Sequence, residues 1–282
     1  MILYGGVILV KKSLNFYLVS NLLVCFLFTT FLVSIRTYQL TSFIDKRTGF
    51  YNGPDYLNYC FFGGIFLLLV VLFILSFFGK YDGVVDLSGN LLLKIVSIFI
   101  GIFSLLYVFF ILSNVKNYDV KGMGIPILLV VANILLSVGF VYLAFRLKKY
   151  GTHGYGDILF LIPTVWACIR LISIFLNNMI LFSVQENVLN VLKTCSICVF
   201  LFCMSRFFAG LCSKSTRKRM SIFGFFSLCL IFCSALPRYI VSFSSGFSRH
   251  CYLNVSDLAS LDFALSIFIL VFLISFVVRL KK

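Results

Sequence analysis

Eight stretches of the chain, at 14–34, 59–78, 91–112, 125–145, 158–181, 188–211, 220–243 and 258–278, are nearly unbroken runs of apolar residues. About 20 such residues in an α-helix reach across ~30 Å of bilayer hydrocarbon. Of the 282 residues, 61% are hydrophobic and only 12% charged, with a mean hydropathy of +1.09. A water-soluble domain carries about 25% charged residues. A spanning β-strand would alternate polar and apolar residues, which these runs do not, so a barrel is disfavoured. The expected fold class is therefore all-α: a polytopic transmembrane helix bundle of about eight spans, forming one domain over 1–282 with no soluble domain. Met1 to Val10 is apolar but lacks a basic leader and is closed by Lys11 and Lys12. The first membrane run is expected to serve as its own insertion signal.

Lysine and arginine in the connections set an expected orientation. With eight spans, the N-terminus, the even-numbered connections and the C-terminus together carry thirteen Lys and Arg, including the cluster Lys214, Arg217, Lys218 and Arg219. The odd-numbered connections carry six, among them Arg36, Lys46 and Arg249. The positive-inside rule then puts both termini in the cytoplasm. The formal charge of +15 calls for no nucleic acid, because anionic lipids on the cytoplasmic side of the bilayer are a sufficient partner.

Charges within the runs are the candidates for function. Arg170 stands near the middle of the run at 158–181, which contains no carboxylate. A cation at that depth costs roughly 3 kcal/mol on insertion scales and normally faces a bundle interior or a wet cavity. At 100° per residue, Pro163, Trp166, Arg170, Ser173 and Asn177 share one stripe, a polar seam expected to face other helices. Trp166 is placed to stack on the guanidinium of Arg170. On the preceding run Pro126, Asn133 and Ser137 share a face, with Asn133 at about the depth of Arg170. Arg170 is then either satisfied by neutral groups such as Asn133 or waits for an anion. Arg238 follows Pro237 near the outer end of its run, at nearly the depth of Asp262 on the next, which suggests an Arg238–Asp262 pair. Lys94, Lys193 and Arg206 lie near run ends and are expected to snorkel to the surface. Asp262 is the one acid of nine expected below the surface, and both histidines, His153 and His250, fall in connections. Proton- or sodium-coupled transport of the usual kind is therefore disfavoured.

Eight of the ten cysteines lie in or beside apolar runs, where they pack as small hydrophobes. This includes the Cys195–Cys198 spacing, which has no accompanying histidine. Cys60 and Cys251 are both expected at the outer surface, and whether they pair depends on a Cα separation that sequence does not give. No phosphate-binding glycine loop, metalloprotease or serine-hydrolase motif is present, so an enzyme is not expected and no cofactor or metal is implied. A seven-helix receptor would place its N-terminus outside, against the charge count.

The segments Pro163 to Leu171, Ser205 to Gly210 and Leu236 to Arg238 resemble uncharacterised multi-pass membrane proteins of Gram-positive anaerobic bacteria. The resemblance implies a protein of the bacterial cytoplasmic membrane and carries no catalytic assignment. Two roles follow from the residues. One is binding or transport of an anionic solute or lipid head group, with Arg170 as counter-charge and Asn133, Trp166, Asn177, Arg238 and Asp262 in the polar interior. The other is a non-catalytic membrane subunit or scaffold, with other membrane subunits as partners and Arg170 as a packing residue. The orientation predicts that a reporter fused after Lys282 is active in the cytoplasm. Activity only outside would invert the topology.

Overall fold

A computed structural model describes residues 3–43, 51–79, 84–87, 90–114, 124–147, 149–150, 158–178, 185–211, 213–244, 259–278 and 280–281. Eight helices follow in order: α1 (Leu3–Ser42), α2 (Asp55–Phe78), α3 (Leu91–Asn114), α4 (Gly124–Phe145), α5 (Ile162–Asn178), α6 (Gln185–Phe208), α7 (Lys214–Ser244) and α8 (Ala259–Val278). The all-α membrane bundle expected from the runs is thus the observed architecture. Seven helices are long and apolar enough to cross a membrane, and α8 contributes a shorter apolar stretch, Leu261–Phe276. Helix α1 runs well past the expected end at 34, because Arg36 and Gln39 continue the helix instead of opening a loop.

Local chemistry accounts for several helix ends. Asn90 caps α3, its Oδ1 accepting the Leu93 N–H at 3.3 Å, while its Nδ2 donates to Ser275 Oγ on α8 at 2.5 Å. Ser213 Oγ accepts the Thr216 N–H at 3.1 Å at the start of α7, a conventional N-cap that satisfies an orphan donor. Helix α6 stops at Gly210, whose φ of 76° suits a residue without a Cβ. The Gly210 and Leu211 N–H groups donate to Phe207 O and Arg206 O, which is the Schellman closure.

Helices α1 and α2 pack antiparallel, and from α3 to α8 each helix packs antiparallel to the next. Asn133, Gly139 and Tyr142 of α4 meet Trp166, Ile162 and Phe160 in descending order, and Thr164 of α5 meets Ser205 of α6. Helices α1 and α7 run parallel, since Tyr17 meets Ser221 and Thr29 meets Cys229. Helix α7 lies at the centre against α1, α2, α6 and α8. In its apolar window 83% of residues are buried, against 28% for α1 and α3. The outer faces of α1 to α3 are covered with exposed apolar side chains, among them Phe26, Phe31, Phe66, Phe99 and Phe109. So much contiguous apolar surface fits lipid, not water.

Three short strands close one end of the bundle. β1 (Val84–Asp86) pairs antiparallel with β2 (Lys149–Tyr150) on one side and with β3 (Leu280–Lys281) on the other. These strands come from the second and fourth connections and from the residues after α8, so all three lie at one end. Above this sheet, α8 presents Phe268, Phe272 and Phe276 as a stacked ladder at helical spacing. The ladder meets Phe140 of α4 and Phe200, Phe207 and Phe208 of α6 edge to face, the favoured aromatic geometry.

Small residues let backbones approach. A Cβ on Gly101 of α3 would come within 2.9 Å of Val141 Cγ2 and 3.3 Å of the Ser137 carbonyl on α4, whereas one on Gly63 of α2 would meet nothing within 4 Å. Gly101→Leu is expected to destabilise the protein by about 1–3 kcal/mol through overpacking, and Gly63→Leu by much less. Thermal unfolding of both variants in detergent tests the contrast.

Candidate functional site

Opposite the sheet, the bundle buries two carboxylates, and each is contacted by two cations. Asp262, in the first turn of α8, has Oδ1 2.5 Å from Arg170 Nη1 of α5 and Oδ2 2.6 Å from Lys193 Nζ of α6. Glu186, in the first turn of α6, receives Arg36 of α1 on Oε1 and Arg238 of α7 on Oε2, the latter at 2.5 Å. Acids in the first turns of α6 and α8 face the positive ends of helix dipoles. Arg36 and Arg238 each precede their helix C-terminus by six residues, toward the negative ends.

Neutral groups extend both clusters. Arg36 Nη1 donates to Gln39 Oε1 at 2.9 Å, and Gln39 Nε2 donates to Asn58 Oδ1 of α2 at 3.1 Å. Lys193 Nζ also lies 3.4 Å from Ser234 Oγ of α7. Trp166 covers the Arg170 guanidinium, with its carbon 5.2 Å from the ring centroid. The indole Nε1 donates to Asn133 Oδ1 at 3.2 Å. The α6–α7 seam thus descends in register from Glu186–Arg238 through Lys193–Ser234 to Ser196–Ser227, where Ser227 donates at 3.0 Å. Arg238 also bears electrostatically on Lys193, joining the two clusters.

The structure gathers most of the expected interior residues. Arg170, Asn133, Trp166 and Asp262 are buried and Arg238 is partly buried. Pro163 and Ser173 are also buried, so the seam of α5 faces inward. The side chains of Asn177 and Pro126 lie outside the described residues, as do His153, His250 and Cys251. The expected pairing is corrected in two respects. Arg238 pairs with Glu186 instead of Asp262, and Arg170, expected to rely on neutral groups or an external anion, contacts Asp262. Lys193 does not snorkel: it is 4% exposed and turns inward because an acid is there to meet it. Asn133 reaches Arg170 only through Trp166.

Sequence reasoning missed Arg36 and Glu186, reading both as connection residues. One periodic signal was available for each. Leu32, Arg36 and Leu40 recur at every fourth position, and all three are buried on α1. Glu186 and Lys193 are seven residues apart, on one face of α6. The described cysteines form no disulfide. Cys168 and Cys198 bring their Sγ atoms to 3.5 Å between α5 and α6.

Compared with models of protein families, with curated proteins and with solved structures, the chain matches none.

Removing one member of a buried pair leaves the other as an unpaired charge, at a cost of about 3–5 kcal/mol, against about 0.6 kcal/mol for an ordinary membrane polar contact. Glu186→Ala, which strands two cations, is expected to be the most damaging change in its cluster. Arg36→Met follows and Arg238→Met is mildest, because the Arg36 side chain is 1% exposed and that of Arg238 17%. Ranking the three by thermal unfolding in detergent checks this order.

Proposed function

We propose that the chain is a multi-pass membrane protein that binds, and in doing so can carry, an anionic solute or lipid head group at the clusters around Asp262 and Glu186. The observation that carries this reading is the charge count. Among the described residues, four cations, Arg36, Arg170, Lys193 and Arg238, contact two carboxylates, an excess of two positive charges over the acids they meet. Such an excess is costly unless an anion joins it. Arginine and lysine are also the side chains best suited to hold carboxylate or phosphate oxygens in a desolvated site.

The charge distribution supports an orientation with both termini in the cytoplasm, which places the two clusters in the outer half of the bilayer. The resemblance to proteins of Gram-positive anaerobes supports the bacterial cytoplasmic membrane as the location. The basic residues at the sheet end then face anionic lipids.

A second reading, a non-catalytic membrane subunit or scaffold, draws on a different observation. The contacts of Asp262 and Glu186 tie together α1, α5, α6, α7 and α8, which a purely structural clamp also requires. Anion titration of the purified protein, followed by thermal unfolding, separates the two. Saturable stabilisation of the wild type, weakened at least about tenfold in Arg170→Met by loss of a charge-assisted contact, is expected for binding. An equal response in both would remove Arg170 from the site and favour the scaffold.

A further inference from the structure

The two clusters are built differently. Glu186 is held by aligned hydrogen bonds from Arg36 and Arg238, and Arg36 is fastened in turn by Gln39. Asp262 meets its two cations at 2.5 and 2.6 Å, one on each oxygen. Nε and Nη2 of Arg170 are buried without an acceptor. A guanidinium offers five N–H donors in a planar fork, and one carboxylate oxygen leaves most of that capacity unused. Glu186 is therefore a clamp, and Asp262 is a counter-charge that leaves Nε and Nη2 of Arg170 unengaged.

The donors around Asp262 describe what fits better. The Arg170 fork and the Lys193 ammonium converge from α5 and α6, and the Ser234 hydroxyl of α7, which donates to the Ile231 carbonyl, accepts from Lys193 behind them. Trp166 closes one face of the guanidinium, so its edge is left for ligation. The N-terminus of α8 adds a favourable field for negative charge. Two cations balance a dianion, while the single charge of Asp262 balances half of them. A tetrahedral oxyanion also has oxygens enough to meet both the fork and the ammonium while engaging the guanidinium nitrogens that Asp262 leaves unused.

Resting on the anion-binding reading above, we propose that Arg170 and Lys193 form a site for a dianionic phosphate group, either free or as the monoester head group of a lipid. Asp262 is the resident stand-in that this group displaces. Displacement frees the start of α8, so occupancy is coupled to the position of that helix.

The test uses the full-length protein in detergent at constant ionic strength and follows thermal unfolding. Inorganic phosphate, phosphatidic acid in mixed micelles and the monoanionic diester phosphatidylglycerol are titrated, with chloride as control. Phosphate or phosphatidic acid is expected to stabilise saturably, and phosphatidylglycerol and chloride are not. A response to inorganic phosphate identifies the free ion, and a response to phosphatidic acid alone identifies the lipid. Lys193→Met should weaken the response at least about tenfold. Asp262→Asn should be less stable without ligand yet bind at least about tenfold more tightly, since the competing carboxylate is gone. Because Asp262→Asn can fail to fold, the wild type supplies a second readout. Dicyclohexylcarbodiimide labelling of Asp262, located by mass spectrometry, should rise when phosphate or phosphatidic acid is added. Equal stabilisation by monoanions overturns the phosphate assignment while leaving anion binding in place. Weaker binding by Asp262→Asn, or labelling that does not rise, overturns displacement. No saturable response to any anion in the wild type overturns both this inference and the reading beneath it.

Discussion

A carboxylate gripped by two cations, formed twice at one end of the bundle, is the constraint from which the arrangement of the helices follows. In hydrocarbon a lone arginine has no water to fall back on, and at an effective dielectric near 20 a unit pair at 4 Å is worth about 4 kcal/mol. Among the described residues, the acids in contact with Arg170, Lys193, Arg36 and Arg238 are Asp262 and Glu186, one at the head of α8 and one at the head of α6. Meeting those two acids fixes which helices can neighbour α6. Helix α5 must bring Arg170 to Asp262, α7 must bring Arg238 to Glu186, and α1 must run parallel to α7 so that Arg36 arrives at the same level.

The opposite half of the membrane is built on shape. Between α4, α6 and α8 the rings of Phe140, Phe200, Phe207, Phe208, Phe268, Phe272 and Phe276 interlock, and the polar α6–α7 seam ends at Ser196 and Ser227, one turn before Phe200. Lipid tails are as apolar as these rings, so the hydrophobic effect gives little reason for the helices to associate there. Close packing, the Gly101 contact with α4 and the Asn90–Ser275 bond supply that reason instead. The molecule is thus polarised along its axis, with directed charge chemistry at one end and dry interdigitation with a small sheet at the other.

The helices were legible in the sequence because length and apolarity decide them almost alone, and all eight runs lie on helices. The site was legible in its members more than in its pairings. The inward stripe of Pro163, Trp166, Arg170 and Ser173 follows from helical geometry, and so does the stacking of Trp166 on Arg170. Which acid each cation meets depends on the lateral order of helices, which a run of apolar residues does not encode. Arg36 was lost for a related reason. An apolar window ends where charge begins, so the last two turns of α1 read as loop, although Leu32, Arg36 and Leu40 keep one face. Lys193 was assigned to the surface because snorkelling costs little when no acid is near, and Asp262 was near only in three dimensions.

The surplus of charge bears on what this end of the protein is for. Buried ion pairs are inefficient as glue, since replacing them with well-packed apolar groups is often neutral or stabilising by about 1–4 kcal/mol. The Glu186 cluster has an architectural account: its hydrogen bonds are aligned, it joins three helices, and Arg238 is partly exposed. The Asp262 cluster also joins three helices and carries the same surplus of one charge, but it is the more deeply enclosed of the two, and Nε and Nη2 of Arg170 are buried there without an acceptor. On the anion-binding reading proposed above, those nitrogens are donors positioned in advance and not yet fully engaged.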